Sequence, residues 1–338
     1  MSGLAPCFFA LSESRELAAL VGQNAGLALA RLEERRFEGG EFKLRPLESV
    51  RGRRVFVLQS LAGSADWPTA ERLVRLLFLL AGLKDAGAVE RVALLPYLTF
   101  ARKERRTQLR DPVNTRYVAQ LLEAMGLDRL IALDVHNPAA LDNSFRIPVD
   151  HLSALPMMAD HFARRFTGSQ VTVVSPDVGG IKRAQLFREL LQRRAGREVE
   201  LAFIEKRRAQ DVVSSGLLVG EAAARNVIVI DDLCATGGTL IRAAEICRRA
   251  GASAVHVAVT HAPRAEGIAA LTATPTIDGI LITDSVGSPA GAAAPQAGGR
   301  IDRLSIAPLF GQALRRILAG KPLAPLLERW PVAFEEET

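Results

Sequence analysis

Residues 227–239 read VIVIDDLCATGGT: four branched aliphatics run into two adjacent aspartates, and a loop of small residues follows. An aliphatic run of this kind makes a buried strand, and in an open parallel α/β sheet ligands bind beyond the carboxyl ends of the strands. Asp231 and Asp232 are thereby delivered to the edge where ligands bind. Gly237 and Gly238 let backbone N–H groups approach a phosphate without interference from a Cβ, and the helix that follows adds a favourable dipole. Thr236 and Thr239 supply hydroxyl donors. The acidic pair would repel a bare phosphate, so it makes sense beside sugar hydroxyls or a Mg2+ ion carried with them. The local chemistry asks for a phosphorylated sugar. The competing reading is an N-cap carboxylate ahead of a tight turn.

Other stretches carry chemistry less openly. DVHN (134–137) puts Asp134 and His136 at a second strand end, where a lone histidine is ordinarily polar packing. SPDVGG (175–180) puts Asp177 at a third strand end before two glycines, a place that a turn-forming aspartate also fills. EKRR (205–208) ends a strand and opens residues 206–226, which show little firm secondary structure. A structureless stretch longer than about 12–15 residues inside a compact domain is functional or disordered, so this one is a candidate lid, although basic triplets are ordinarily solvated surface. ARKERR (101–106) reads by itself as a charged connector.

These residues need strands to position them. Apolar runs of strand length occur at 54–60, 91–98, 129–135, 171–177, 201–206, 226–232, 254–261 and 279–284, with helical patterns between most of them. Alternation of this kind, with continuously apolar strands, predicts parallel sheets covered on both faces. A weak internal repeat supports two domains. A strand, a loop, a helix ending LKDAGA (83–88) and a strand in the first half match a strand, a loop, CRRAGA (247–252) and a strand in the second. The division falls near residue 150. The segment 286–300, VGSPAGAAAPQAGGR, reads as a mobile surface loop.

Composition sets outer bounds. A chain of 338 residues, 49% hydrophobic and 24% charged, holds two domains with their own cores. Three cysteines at no metal-ligand spacing fit a reduced, cytoplasmic protein. The N-terminus lacks the pattern of a signal peptide, and no apolar run approaches the roughly 20 residues that span a bilayer. The net charge of +6 suits anionic partners, but only six of 43 basic residues are lysine, which points to coding bias more than to a selected field. With two Trp and two Tyr there is no stacking platform for nucleic acid.

The stretch 231–239 resembles the 5-phosphoribosyl-1-pyrophosphate (PRPP) binding motif of the phosphoribosyltransferase fold. The wider chain resembles the ribose-phosphate pyrophosphokinases, built from two such domains in tandem. The likeness covers most of residues 8–316, through FALSESRELA (9–18), RRFEGGEFKLRPLESVRG (35–52), PYLTFARKERRTQLRDPVNTRYVAQLLE (96–123), LDVHN (133–137), VVSPDVGGIKRA (173–184), EKRR (205–208) and DDLCATGGT (231–239). It implies an α/β fold of two phosphoribosyltransferase-like domains, each a mainly parallel sheet: 1–150 on the ATP side, 151–316 on the ribose 5-phosphate side, and a tail at 317–338. It implies transfer of pyrophosphate from ATP to ribose 5-phosphate, with Mg2+ as cofactor and a homo-oligomer, hexamer or smaller, as the working form. In its terms Lys206 and Arg208 are catalytic, stabilising charge on the transferring group. Phe37, Glu41, Arg102 and Lys103 bind ATP, with Phe37 and Glu41 reaching a neighbouring subunit's site. His136 and Asp177 contact the metal. Asp231, Asp232, Thr236, Gly237, Gly238 and Thr239 hold ribose 5-phosphate.

The chain departs from the family pattern at Gly39 (commonly Asp), Lys103 (commonly Gln) and Ala235, where many members carry a third carboxylate. The first domain has QSLAGSADWP (59–68) where its own phosphate loop would stand, without an acidic pair or a TGGT, which implies one active site per chain. Two competing readings remain: a nucleobase phosphoribosyltransferase, which needs only one such domain, and a non-catalytic regulatory paralogue, for which the three departures speak.

Overall fold

The computed structural model describes residues 4–205, 208–209, 212–213, 216–287 and 299–328, with backbone alone at 208–209 and 212–213. The chain divides into two compact units. The first takes in the described residues up to Ser153, with Ser285–Gly287 and Ile306–Leu323; the second takes in Ala154–Asp284, residues 299–305 and the described residues from Ala324 on.

In chain order the first unit carries β1 (Cys7–Ala10), α1 (Arg15–Ala25), β2 (Leu32–Arg36), β3 (Phe42–Pro46), β4 (Arg54–Leu58), α2 (Thr69–Asp85), β5 (Glu90–Leu95), α3 (Asn114–Ala124), β6 (Arg129–Leu133), α4 (Pro138–Ser144) and β7 (Val149–Leu152). Five strands form one sheet in the order β1-β4-β5-β6-β7, every pair parallel. Val55, Phe56, Val57 and Leu58 of β4 are wholly buried, as continuously apolar central strands are. Leu76, Leu80 and Leu83, also wholly buried, form the inward stripe of α2 at helical spacing; each contributes about 1.5–3 kcal/mol by leaving water. β2 and β3 make a separate antiparallel hairpin, which packs on α2 through the rings of Phe42 and Phe78, 5.4 Å apart.

The second unit carries α5 (Leu155–Arg165), β8 (Val171–Ser175), α6 (Ile181–Ala195), β9 (Glu200–Glu205), β10 (Arg208–Ala209), β11 (Val212–Val213), β12 (Leu217–Val219), β13 (Asn226–Leu233), α7 (Gly238–Arg249), β14 (Ala254–His261), α8 (Ala265–Ala273), β15 (Gly279–Thr283) and β16 (Ile301–Leu304). Its main sheet runs β12-β9-β8-β13-β14-β15-β16, parallel except for β12 against β9. The segment 206–226, expected to lack firm structure, therefore contains a strand in register with Phe203–Glu205. β10 and β11 form a two-residue antiparallel pair. Residues 288–298 of the expected mobile loop lie outside the described residues.

Two helices follow. α9 (Ala307–Leu318) lies along α1 and clusters with the first unit, across the division that chain order implies, because its buried face (Leu309, Phe310, Ala313, Leu314) needs that surface. The short α10 (Pro325–Glu328) packs on α5 in the second unit. The repeat read from sequence is present as β4–α2–β5 and β13–α7–β14, each a parallel strand pair joined through a helix.

Candidate active site

β13 runs between β8 and β14 with Val227–Ile230 wholly buried, so after Asn226 at its start it carries no polar side chain until its carboxyl end. There Asp231 is half-buried and Asp232 buried. The Cys234 N–H donates to the His261 carbonyl at 2.8 Å and ties the outgoing loop to the end of β14. Gly237 then turns the chain at φ 81°, a left-handed conformation open to glycine at no steric cost, and α7 begins at the next residue. Among the described residues no side chain caps α7, so its first N–H groups are left for another acceptor, and an anion is the natural one. Thr236 is exposed and Thr239 half-buried beside this opening. Arg242, exposed one turn along, brings its guanidinium to 3.5 Å from Thr239 Oγ1. Gly267 on α8 lies directly behind the loop: a Cβ there would stand 2.6 Å from the Ala235 carbonyl and 3.0 Å from Cys234 Sγ. Burial and the neighbouring Asp231 charge push the Cys234 thiol up to about 11, so it packs and does not react.

The acidic pair has a partner that sequence reading missed. Arg183, on the first turn of α6, sets Nη1 3.1 Å from Asp231 Oδ1 and 3.2 Å from Asp232 Oδ1. The Asp232 N–H also donates to Asp231 Oδ1 at 2.9 Å. Burial, then the like charge of Asp232, push the Asp231 carboxyl up to about 7, and Arg183 pulls against that shift. The one signal in the sequence is a cation three residues beyond the glycines of SPDVGG, too far along the chain from Asp231 to announce the contact. Asp177 closes the turn before α6: its Oδ1 accepts the Gly180 N–H at 3.2 Å, and its carbonyl accepts the Ser175 hydroxyl at 2.6 Å. β8 and β13 are neighbours, so the Asp177 turn and the acidic pair follow adjacent strands.

The first unit holds the other expected residues on separate loops. His136 is exposed after β6, on a segment fixed at both ends. Upstream, Asp134 Oδ1 accepts the Ser153 hydroxyl at 2.7 Å, and the Val135 N–H donates to His151 Nε2 at 3.0 Å. Downstream, Asn137 Oδ1 caps α4 by accepting the Ala140 N–H at 3.1 Å. Arg102 is exposed in the loop after β5. Its neighbour Lys103 donates to the Asp111 carboxylate and, at 3.0 Å, to Thr107 Oγ1. That ammonium, with the Thr107 hydroxyl and the Gln108 and Thr107 N–H groups, holds Asp111 well below the usual carboxylate range. Phe37 and Glu41 frame the tip of the β2–β3 hairpin, both exposed, joined by the Phe37 N–H to the Glu41 carbonyl at 2.7 Å. The Arg35 guanidinium lies 5.8 Å from the Phe37 ring centre. Lys206 lies outside the described residues, and Arg208 is described only as backbone in β10.

The loop of the first unit that corresponds to 234–237 is filled from within. Arg72, buried near the start of α2, donates to the Ser60 carbonyl (3.1 Å), the Trp67 carbonyl (3.2 Å) and Ser64 Oγ (3.0 Å). Below it the buried Arg75 donates to both oxygens of Glu13, at 2.8 and 2.7 Å, and to Glu34, with its guanidinium 3.7 Å from the centre of the Trp67 ring. This loop turns acceptors inward, the reverse of an anion site.

Residues 7–126 match the family model described as the N-terminal domain of ribose phosphate pyrophosphokinase, and residues 156–274 match the phosphoribosyl transferase domain. The chain is 35% identical to "Ribose-phosphate pyrophosphokinase 1" of Streptococcus pneumoniae over 95% of its own length and 96% of that protein. The protein of the same name from Streptococcus pyogenes serotype M1 is also 35% identical, over 95% and 97%. The crystal structure of phosphoribosylpyrophosphate synthetase from Mycobacterium smegmatis superposes with a TM-score of 0.84 at 29% identity, covering 94% of this chain and 100% of that one. With likeness running through both units, each of the phosphoribosyltransferase type, the chain belongs to the ribose-phosphate pyrophosphokinase family of transferases.

Proposed function

We propose that this chain makes PRPP: the anomeric hydroxyl of ribose 5-phosphate attacks the β-phosphorus of ATP, the pyrophosphoryl group moves to the sugar, and AMP leaves. The observation that carries this reading is the pairing, within one strand–loop–helix unit, of two carboxylates with an uncapped helix start. A phosphate and a diol on one small molecule match that pair. The free N–H groups at the start of α7, with Thr236 and Thr239, take the 5-phosphate, while Asp231 and Asp232 accept the 2- and 3-hydroxyls. The ribose 5-phosphate side falls to the second unit and the ATP side to the first, which also takes in α9.

Magnesium fits as an ion carried by the nucleotide rather than one held in a protein cage. Among the described residues no group of three or more His, Cys, Asp or Glu side chains is placed to hold a metal ion. Mg2+ commonly takes one or two protein ligands and completes its octahedron with water and phosphate. The exposed His136 and the turn carboxylate Asp177 suit such sparse contact. When bound, the ion neutralises phosphate charge as the pyrophosphoryl group transfers. Lys206 and Arg208 add positive charge at the same point, and such charges carry much of the catalysis in a reaction with little covalent work for side chains. Arg102 and Lys103 serve ATP. The exposed Phe37 and Glu41 suit an adenine contact offered to a neighbouring copy in a homo-oligomer.

Three free, buried thiols suit the reducing cytoplasm. Among the described residues no helix is long and apolar enough to cross a membrane. The test is direct: incubate the purified chain alone with ATP, ribose 5-phosphate, Mg2+ and inorganic phosphate, and measure AMP and PRPP. Absence of both would favour a regulatory paralogue.

A further inference from the structure

Two adjacent carboxylates at a half-buried strand end are ordinarily a seat for a hard divalent cation. Here the seat is taken. One guanidinium nitrogen, Arg183 Nη1, stands at nearly equal distances from the two nearest oxygens, 3.1 Å from Asp231 and 3.2 Å from Asp232. All three side chains are largely shielded, with 18% of Arg183, 22% of Asp231 and 9% of Asp232 exposed, so water weakens the contact little. The guanidinium is delivered from α6, just beyond the turn that Asp177 caps, and not from the loop that carries the pair.

We infer that Arg183 is a built-in counter-ion standing where a divalent cation would otherwise sit on the Asp231–Asp232 pair, so that the pair receives sugar hydroxyls and excludes a metal ion. The inference rests on the proposed role of the pair toward ribose 5-phosphate. Charge decides it. Two bare, ionised carboxylates would carry −2 and recruit Mg2+ from solution; with Arg183 in contact, and above pH 7 where Asp231 is ionised, the cluster carries −1, enough to accept hydroxyl hydrogen bonds and too little to strip water from Mg2+. Metal brought with the nucleotide is thus kept off the two carboxylates, and its position is left to phosphate oxygens, sugar hydroxyls and other side chains. Arg183 is therefore a positioning residue, acting on the substrate through the two aspartates. Its fixed charge also offsets part of the pressure toward protonation that burial and mutual repulsion place on the pair.

The test counts metal ions without substrate. Mn2+, which reports by electron paramagnetic resonance and mimics Mg2+, is titrated into the intact chain and into Arg183→Gln, Arg183→Lys, Asp231→Asn and the Arg183→Gln/Asp231→Asn double variant. Arg183→Gln should bind one Mn2+ more than the wild type, the double variant should lose that ion, and Arg183→Lys, which keeps the charge, should match the wild type. In steady-state assays Arg183→Gln should raise the ribose 5-phosphate KM about tenfold, as loss of a charge-assisted contact does, with the ATP KM nearly unchanged. The inference is overturned if folded Arg183→Gln binds no extra ion. It is equally overturned if Asp231→Asn alone removes an ion from the wild type, a comparison that does not require Arg183→Gln to fold. The Mn2+ count needs no turnover, so a chain that makes no AMP would defeat the proposed function while leaving this result readable.

Discussion

The carbonyl oxygen of Ala235 lies 2.6 Å from the point where a Cβ on Gly267 would stand, closer than real Cβ atoms approach backbone. The first turn of α8 therefore fixes the path of the loop that precedes α7. Gly267→Ala must push that loop outward. We expect a rise of about tenfold in the ribose 5-phosphate KM, the cost of one or two weakened N–H contacts to a charged phosphate, with the ATP KM unchanged. Alanine is favoured over glycine within a helix by about 1 kcal/mol, so a higher melting temperature with an unaltered KM would show that the loop does not depend on Gly267.

A pH dependence follows from Asp231. Its carboxyl is raised from near 4 to about 7, by burial and then by Asp232, so between these values the folded protein binds a proton that the unfolded chain has released. Stability must then fall as pH rises through this window. Asp231→Asn removes the contribution: relative to the wild type, the variant should gain melting temperature from pH 4 to pH 7. A constant difference across the window would refute it. If the ionised pair takes the sugar hydroxyls as proposed, affinity for ribose 5-phosphate should move the opposite way in the wild type and strengthen up to pH 7 in calorimetric titration.

Arg75 is 1% exposed and serves Glu13 and Glu34 together. Removing it leaves two shielded carboxylates without their cation. Arg75→Met should cost about 3–5 kcal/mol in a urea titration, the usual loss when one partner of a buried ion pair is removed. A loss below about 1 kcal/mol, the range of exposed pairs, would mean that water reaches the cluster freely.

Under the proposed role of Lys206 on the transferring group, Lys206→Ala should lower kcat by roughly 10²–10⁴ while leaving ribose 5-phosphate binding nearly intact. Calorimetry and single-turnover kinetics separate the two effects, and an unchanged kcat would remove Lys206 from the mechanism.

Ala235 follows the Asp231–Asp232 pair in the loop that leads into α7. An added carboxylate there restores charge that Arg183 offsets. Ala235→Asp should change the ribose 5-phosphate KM and the magnesium optimum more than kcat, in steady-state kinetics across a magnesium series. If the wild type makes no AMP and the variant does, the native site is a degraded one.

The central strands were legible because their aliphatic runs leave no other reading: 254–261 is β14 residue for residue, and 226–232 falls one short of β13. The hairpin was hidden because β2, LEERR, is a charged strand lying outside both main sheets, where no apolar pattern announces it. β12 was hidden by its brevity. In the site, Asp231, Asp232 and the glycine loop were legible from local order alone. Arg183 was not, since the contact spans 48 residues of sequence and exists only because β8 and β13 are neighbours. The tie of Lys103 to Asp111 was equally silent.

The arginine lodged in the first unit's loop bears on stoichiometry. Its guanidinium is solvated by the loop's own carbonyls, so that half of the duplicated fold holds a permanent internal guest. A tandem protein whose halves both stayed receptive would bind two sugar phosphates and hold one of them idle. With Arg72 in residence, ribose 5-phosphate should saturate at one equivalent per chain, and the first half is released from sugar recognition to diverge toward another partner.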